Sequence, residues 1–392
     1  MNSLLQDVPA RRSTQEQAVR ALDFRFGERR MEMLLGYRFT EQIAQRVSEQ
    51  AAHILLVADR RVYELWGAPL LAALQRHLPV TCLLVEAVEA AKTLGVLQGL
   101  LDQAVAGGAT RRSVVVAFGG GLTGNLAGML AGLLYRGIRL VHIPTTLLAM
   151  SDSVLSQKQA VNGTGAKNMY GLYHPASLCC VDVQYLQSLP APAFSAGVVE
   201  LCKNGLAFDA ATVPALERLA ADTSPAGWIE LVQLGIQAKQ QLLLDDPLEH
   251  ELGVVLEYGH TVGHALELET GSLTHGHAVG LGMLVAAAIA RERGWLSEQE
   301  EHLHARLLLR CGAPLGLESP PSFDQVMTRL RQDNKRGRIR LNAGQYPFVL
   351  LRGIGRPAMS QGQPLVGVDE GEIRRAYAKL QAGCYTALRL AE

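Results

Sequence analysis

The chain has 392 residues, 48% of them hydrophobic and 19% charged, which excludes a disordered or low-complexity chain and leaves room for two domains with ample apolar burial. Lys+Arg and Asp+Glu stand at 37 each, so bulk charge gives no attraction to nucleic acid or to an anionic membrane, and only local basic residues remain for a small anion.

The chain begins with a polar stretch, Met1 to Arg20, which reads as a flexible segment and not as a signal peptide. No apolar run reaches the roughly 18 residues of a membrane span. The six cysteines (Cys82, Cys179, Cys180, Cys202, Cys311, Cys384) form no Cys-x-x-Cys pair and read as reduced thiols of a cytoplasmic protein.

The first predicted domain is 21–190, and from Leu22 to Leu148 short apolar runs alternate with amphipathic stretches. His53–Ala58, Val80–Val85, Ser113–Phe118 and Arg139–Pro144 read as buried strands, and Thr93–Ala106 and Gly124–Tyr135 as intervening helices. Such alternation predicts parallel βαβ units that bind ligands at the carboxyl ends of the strands. The third run enters Gly119-Gly120-Gly121-Leu122-Thr123-Gly124-Asn125, a glycine turn whose backbone N–H groups suit a pyrophosphate at a helix N-terminus, although its spacing is not G-x-G-x-x-G. Asp59 closes the first run, and reads either as an acceptor for an adenosine ribose or as a helix N-cap. Glu89 and Lys92 are either cofactor contacts or a solvated i,i+3 pair.

The densest polar stretch follows, Pro144-Thr145-Thr146 through Asp152 to Ser156-Gln157-Lys158, then Lys167-Asn168. Lys158, Lys167 and Asn168 supply donors suited to phosphate or sugar hydroxyls.

A boundary falls at Leu189-Pro190-Ala191-Pro192, and helical periodicity dominates from 191 to 392: Gly197–Ala207, Trp228–Leu244, Leu252–Glu269, Ala278–Arg293 and Glu298–Leu309. Within it, Glu257-Tyr258-Gly259-His260-Thr261-Val262-Gly263-His264 sets two imidazoles one turn apart on one helical face. Thr274-His275-Gly276-His277 adds a second histidine cluster, and Glu200, in Val199-Glu200-Leu201-Cys202-Lys203-Asn204, is assigned as the carboxylate ligand. Three ligands on separate elements suit a catalytic divalent cation with a position left for substrate. Gln332-Asp333-Asn334-Lys335-Arg336-Gly337 is a charged loop before a strand-like run, Phe348–Leu351.

Taken together, Gly119–Gly121, Pro144–Ala149, Asp152-Ser153 with Lys158, Lys167-Asn168 after Ala166, Glu200 with Lys203, and Gly259–His264 resemble the sugar phosphate cyclase family typified by 3-dehydroquinate synthase. The similarity runs from about Leu22 to about Pro357. It implies an α/β N-terminal Rossmann-like dinucleotide-binding domain, a mainly α-helical C-terminal metal-binding domain, tightly bound NAD, and usually a homodimer. It also implies one divalent metal, zinc or cobalt, on Glu200, His260 and His275. The cofactor contacts implied are Asp59, Glu89, Lys92, Gly121, Leu122, Thr123, Gly124, Asn125, Thr145, Thr146, Ser156, Gln157, Lys158, Lys167 and Asn168. Lys158 and Glu257 are the expected catalytic residues, with Asp152, Lys203, Lys239, His264 and Lys335 lining the substrate pocket.

Several positions depart from 3-dehydroquinate synthase itself. Glu257 stands where that enzyme carries Asn, Gly253 where it carries Arg, Asn125 where its turn ends in Asp, and His277 where many cyclases carry Glu, which leaves His275 and His277 as competing ligands. The combination of Gly119–Asn125, Ser151–Asn162, Glu257–His260 and Asp333–Gly337 resembles the branch of the family that closes glucose 6-phosphate into a carbocycle, with His277 off the common pattern. The implied chemistry is transient oxidation at C4 by NAD, phosphate elimination, return of the hydride, and an intramolecular aldol step. The alternatives are another cyclase such as 3-dehydroquinate synthase, a metal-dependent polyol dehydrogenase sharing the two-domain layout, or a catalytically silent paralogue. A small sugar phosphate is the expected partner, with neither nucleic acid nor membrane.

Overall fold

The computed structural model describes residues 19–164, 167–220, 222–333 and 335–386. The expected flexible segment therefore lies outside the described residues as far as 18, and so do Ala166 and Asn334 of the motifs above.

Strands β1 (Arg20–Phe26) and β2 (Arg29–Gly36) form an antiparallel hairpin turned at Gly27, whose φ of +57° suits a residue without Cβ. Then follow α1 (Thr40–Ser48), β3 (His53–Asp59), the single turn α2 (Arg60–Val62), α3 (Ala68–Gln75), β4 (Val80–Val85), α4 (Leu94–Ala106), β5 (Ser113–Gly119), α5 (Gly121–Leu133) and β6 (Arg139–Pro144). A small hairpin, β7 (Lys158–Val161) and β8 (Tyr170–Tyr173), precedes β9 (Leu178–Asp182). The main sheet runs β1-β2-β9-β6-β5-β3-β4, parallel except for the β1–β2 pair. Every residue of β5 is buried, as central parallel strands covered on both faces require.

The four expected strands are present. Sequence reading missed the β1–β2 hairpin, where Arg, Glu and Asp interleave with the buried Phe24, Phe26, Met31 and Met33. It also missed β9, a five-residue strand in which the adjacent Cys179 and Cys180 are core residues. All six cysteines carry free thiols.

Beyond β9 the chain is mainly helical: α6 (Ala191–Ala207), α7 (Val213–Leu219), α8 (Pro225–Asp245), α9 (His260–Thr270), α10 (His275–Glu292), α11 (Glu298–Arg310), α12 (Phe323–Leu330), the strand pair β10 (Gln345–Phe348) and β11 (Val366–Asp369), and α13 (Glu370–Gln381). Helices α6 and α8 begin earlier than expected because proline is tolerated in a first turn, where its missing N–H has no partner to lose. The expected single helix Leu252–Glu269 is instead a 3₁₀ segment, Leu252–Glu257, a break at Gly259 (φ +78°), and α9. The strand-like run Phe348–Leu351 keeps only Phe348 in β10. No helix among the described residues is long and apolar enough to cross a membrane.

Candidate active site

The order of the sheet reverses between β3 and β5: β4 lies on one side of β3 and β5 on the other, which opens a crevice at their carboxyl ends. Asp59 ends β3 there, and the glycine turn follows β5. A Cβ on Gly119 would lie 3.1 Å from the Asp59 Cβ, so the two expected cofactor elements are neighbours. Cβ atoms on Gly120 and Gly121 would meet Thr146 at 3.1 Å and Ser153 at 3.0 Å. The hydroxyls of Thr123, Thr145 and Ser153 are buried without a hydrogen-bond partner. Buried polar atoms are rarely left so; three of them around a glycine turn at a helix N-terminus fit a phosphate-bearing ligand such as a dinucleotide.

Asp59 caps α2 by accepting from the Arg61 and Val62 N–H groups at 2.9 and 3.4 Å. Glu89 accepts from Asn162 at 2.7 Å, and the buried Lys92 donates to Asn168 instead of pairing with Glu89. Leu122 is half-buried in the first turn of α5, and Gly124 packs against His142. Three others are engaged within the protein. Asn125 donates to Gly121 O and accepts from Ala160 N, both at 2.9 Å; Ser156 donates to Glu249 at 2.8 Å; and Gln157 bonds Arg29 and Pro247 O.

The helices close on this crevice through glycine. A Cβ on Gly197 of α6 would lie 2.8 Å from the Leu147 Cβ, and one on Gly235 of α8 would lie 2.7 Å from Ser151, so both helices rest on the segment after β6. Likewise a Cβ on Gly282 of α10 would sit 1.9 Å from Gly259 O, one on Gly263 of α9 2.9 Å from Val279 Cα, and one on Gly276 2.2 Å from Ala196 O of α6. These approaches bring His260, His264 and His275 together, with one ring nitrogen of each within 4.8 Å of the others. Glu200, on α6, places Oε1 3.7 Å from His275 Nε2. Replacing Gly282 by alanine is therefore expected to cost on the order of 1–3 kcal/mol by overpacking and to part the two histidine helices. A thermal melt read beside cobalt uptake checks both effects, and an unchanged melting point with full uptake would contradict the packing argument.

The donor set fits a divalent cation. Glu200 Oε1 is buried without a hydrogen-bond partner, while Oε2 takes Lys203 Nζ at 2.7 Å. His260 Nδ1 lies 3.2 Å from Tyr258 O, and His275 Nδ1 lies 3.2 Å from Glu267 Oε2. An acceptor at Nδ1 leaves the Nε2 lone pair of each ring for a metal. Burial drives the His260 and His264 rings down to about 3, so both are neutral at physiological pH. Burial also acts to lower His275, but Glu267 and Glu200 outweigh it and raise that ring. His277, the competing candidate, bonds the Ser195 hydroxyl at 2.9 Å and is not among the clustered rings.

Around the histidines lie paired charges. Lys239 Nζ stands 2.8 Å from Asp152; burial acts to raise that carboxyl, but Lys239 and then Lys203 bring it down to about 2. Lys158 pairs with Glu249 at 2.9 Å. Lys335, only 1% exposed, reaches Asp333 at 2.8 Å and Glu257 at 3.4 Å. Burial acts to raise the Glu257 carboxyl; Lys335 first, then His260 and His264, hold it well below the ordinary carboxylate range. At Gly253 the N–H donates to Asp246 at 2.8 Å, and a Cβ would lie 2.8 Å from Glu249 Cβ.

Sequence reading missed three carboxylates here. Glu267 was legible as the third member of a helical face with His260 and His264. Asp333 lies in the charged loop already singled out. Glu249 gives no local signal: its left-handed backbone (φ +57°) and the Asp246-anchored turn aim it at Lys158, and only the fold supplies those.

A model of the 3-dehydroquinate synthase N-terminal region matches residues 82–196, and one of the C-terminal region matches residues 197–336. The 2-deoxy-scyllo-inosose synthase of Micromonospora echinospora is 44% identical over 326 residues, covering 82% of each chain. Among solved structures, a 2-deoxy-scyllo-inosose synthase complexed with carbaglucose-6-phosphate, NAD+ and Co2+ superposes with a TM-score of 0.85 at 35% identity, covering 91% of this chain and 98% of that one. A 2-epi-5-epi-valiolone synthase from Streptomyces hygroscopicus, with NAD+ and Zn2+ bound, gives 0.79 at 28% identity over the same shares.

Proposed function

Because the chain belongs to the 3-dehydroquinate synthase family of sugar phosphate cyclases, we propose that it converts D-glucose 6-phosphate into 2-deoxy-scyllo-inosose and inorganic phosphate. That carbocycle is the precursor of 2-deoxystreptamine aminoglycosides. The observation that carries this choice within the family is the pair Glu257 and Gly253. A carboxylate held ionised by Lys335 suits neutral hydroxyls, and the packed turn at Gly253 has no space for the arginine that would hold a substrate carboxylate.

The sheet half, 21–190, would hold NAD at the β3–β5 crevice, and the helical half, 191–392, a divalent cation on Glu200, His260 and His275, with His264 beside it. When bound, NAD supplies a reversible hydride acceptor and the cation, zinc or cobalt, supplies positive charge for developing oxyanions. The remaining work falls to the chain. Lys203 keeps its charge, since Glu200 and Asp152 outweigh its burial, and Glu200 keeps one free oxygen aimed at the histidines. Lys239 and Asp152 form a buried pair that presents a donor and an acceptor for sugar hydroxyls. Lys158, 46% exposed at the side chain and tethered by Glu249, would meet the phosphate and move a proton. Glu257, tethered by Lys335, accepts from a hydroxyl. The assembly proposed is a homodimer, which sedimentation at working concentration would test, and the compartment proposed is the cytoplasm.

The experiment is incubation with glucose 6-phosphate, a trace of NAD and Co2+, following phosphate, NADH and the keto carbocycle together. Many phosphates released per NAD, without accumulation of NADH, are expected. NADH accumulating in step with sugar oxidised would point to a polyol dehydrogenase instead.

A further inference from the structure

Two networks described above meet at one side chain. On the sheet side, Asn162 donates to Glu89 at 2.7 Å and accepts from the Asn168 N–H at 2.9 Å, while the buried Lys92 donates to the Asn168 side chain. This fastens the loop between β7 and β8 to the segment after β4, on the cofactor side of the fold. Next in the same loop, Lys167 Nζ stands 2.9 Å from Glu267 Oε1. The other oxygen of Glu267 faces His275 Nδ1 at 3.2 Å. Glu267 is 14% exposed, on α9 one turn beyond His264. One carboxylate therefore touches the cofactor loop with one oxygen and the ring of a metal-binding histidine with the other.

We infer that Glu267 is a positioning residue that couples the two sites: with Lys167 in place it fixes the His275 ring with Nε2 toward Glu200, so that dinucleotide and metal each strengthen binding of the other. The inference rests on the cyclase reading for the identity of the two ligands. Its physical basis is double. A carboxylate accepting from Nδ1 selects the tautomer whose Nε2 lone pair can bind a cation. The orientation of that carboxylate depends on the ammonium at its other oxygen, and Lys167 is held there by its neighbour Asn168, which Asn162 and Lys92 fasten. Coupling between sites is reciprocal, so a dinucleotide that holds Lys167 and Asn168 in place must raise metal affinity by the factor by which metal raises dinucleotide affinity. An exposed ion pair would contribute little on its own; the effect comes from the histidine behind it.

The test measures Co2+ affinity of the full chain by competition with a chelator, with and without saturating NAD, together with the visible cobalt absorption bands and NAD affinity by calorimetry. In the unmodified chain NAD is expected to raise Co2+ affinity about 5-fold or more. Glu267→Gln is expected to weaken Co2+ binding about 10–100-fold, to alter the cobalt bands and to abolish the enhancement by NAD. Lys167→Ala, a change at a partly exposed side chain, should lower the enhancement, and Lys167→Arg should restore it. In a double-mutant cycle the two losses should fall short of additive. Unchanged cobalt affinity and bands in Glu267→Gln, or additive losses, would overturn the coupling while leaving the cyclase reading intact. A wild-type chain that binds neither Co2+ nor NAD would overturn both.

Discussion

Replacing His260 by alanine is expected to abolish phosphate release from glucose 6-phosphate while leaving the protein folded. His260 opens α9 and is buried, but the helix is held by apolar and glycine contacts with α10, not by the imidazole. Its Nδ1 is engaged by Tyr258 O, so the ring offers one lone pair, and its loss would leave the proposed cation to Glu200 and His275, with His264 beside them. Losing an outer-sphere partner costs about 10–100-fold in metal affinity, and a direct ligand should cost more. Circular dichroism should be unchanged, elemental analysis should find less than stoichiometric metal, and activity should not return with excess Co2+ at concentrations that saturate the unmodified enzyme. Full activity in a sample verified to be metal-free would sink the metal assignment outright.

Glu257→Gln is expected to lower kcat about 10²–10⁴-fold, the range of a positioned acid or base, with metal content unchanged. The competing role, orienting His260 as an outer partner, is disfavoured by the geometry: His260 Nδ1 already faces Tyr258 O, and Glu257 faces Lys335 Nζ at 3.4 Å. Were that role correct, the loss would appear as metal release. Stability should change little, because Lys335 retains Asp333 at 2.8 Å. The pH profile gives a second check. A depressed carboxyl stays ionised as pH falls through about 4, where an ordinary glutamic acid would take up its proton, so the acid limb of kcat/KM due to Glu257 lies below that region. The same residue should exclude the carboxylated seven-carbon substrate of 3-dehydroquinate synthase. Like charges at ~4 Å cost about 4 kcal/mol at an effective dielectric near 20, so efficient turnover of that acid by the unmodified chain would overturn the proposed specificity.

Local chemistry determined a good part of this protein. The run Val114–Phe118 is apolar throughout, as a strand covered on both faces requires, and the glycine turn after it marked the crevice proposed for the cofactor. The spacing of His260 and His264 on one helical face, with His275 a short gap later, was sufficient to expect a cation site, because a helix repeats its faces at fixed intervals whatever it packs against. Tertiary structure decided what depends on distance across the chain. Whether His275 or His277 joins the cluster turned on the N-terminal turn of α10, which seats His277 against Ser195 and His275 between Glu200 and Glu267. The single helix expected over Leu252–Glu269 gave way to a break at Gly259, since α10 approaches so closely that only glycine fits on either side. Glu249 and Lys158 stand 91 positions apart, Lys335 and Glu257 78, and Lys167 and Glu267 100. No periodicity in a sequence relates residues so far apart. Lys158 and Lys167 meet their partners because the sheet half and the glycine-packed helices are pressed together, whereas Lys335 and Glu257 come from two segments of the helical half; Lys335, almost fully buried, is where the low dielectric makes a charge require its partner.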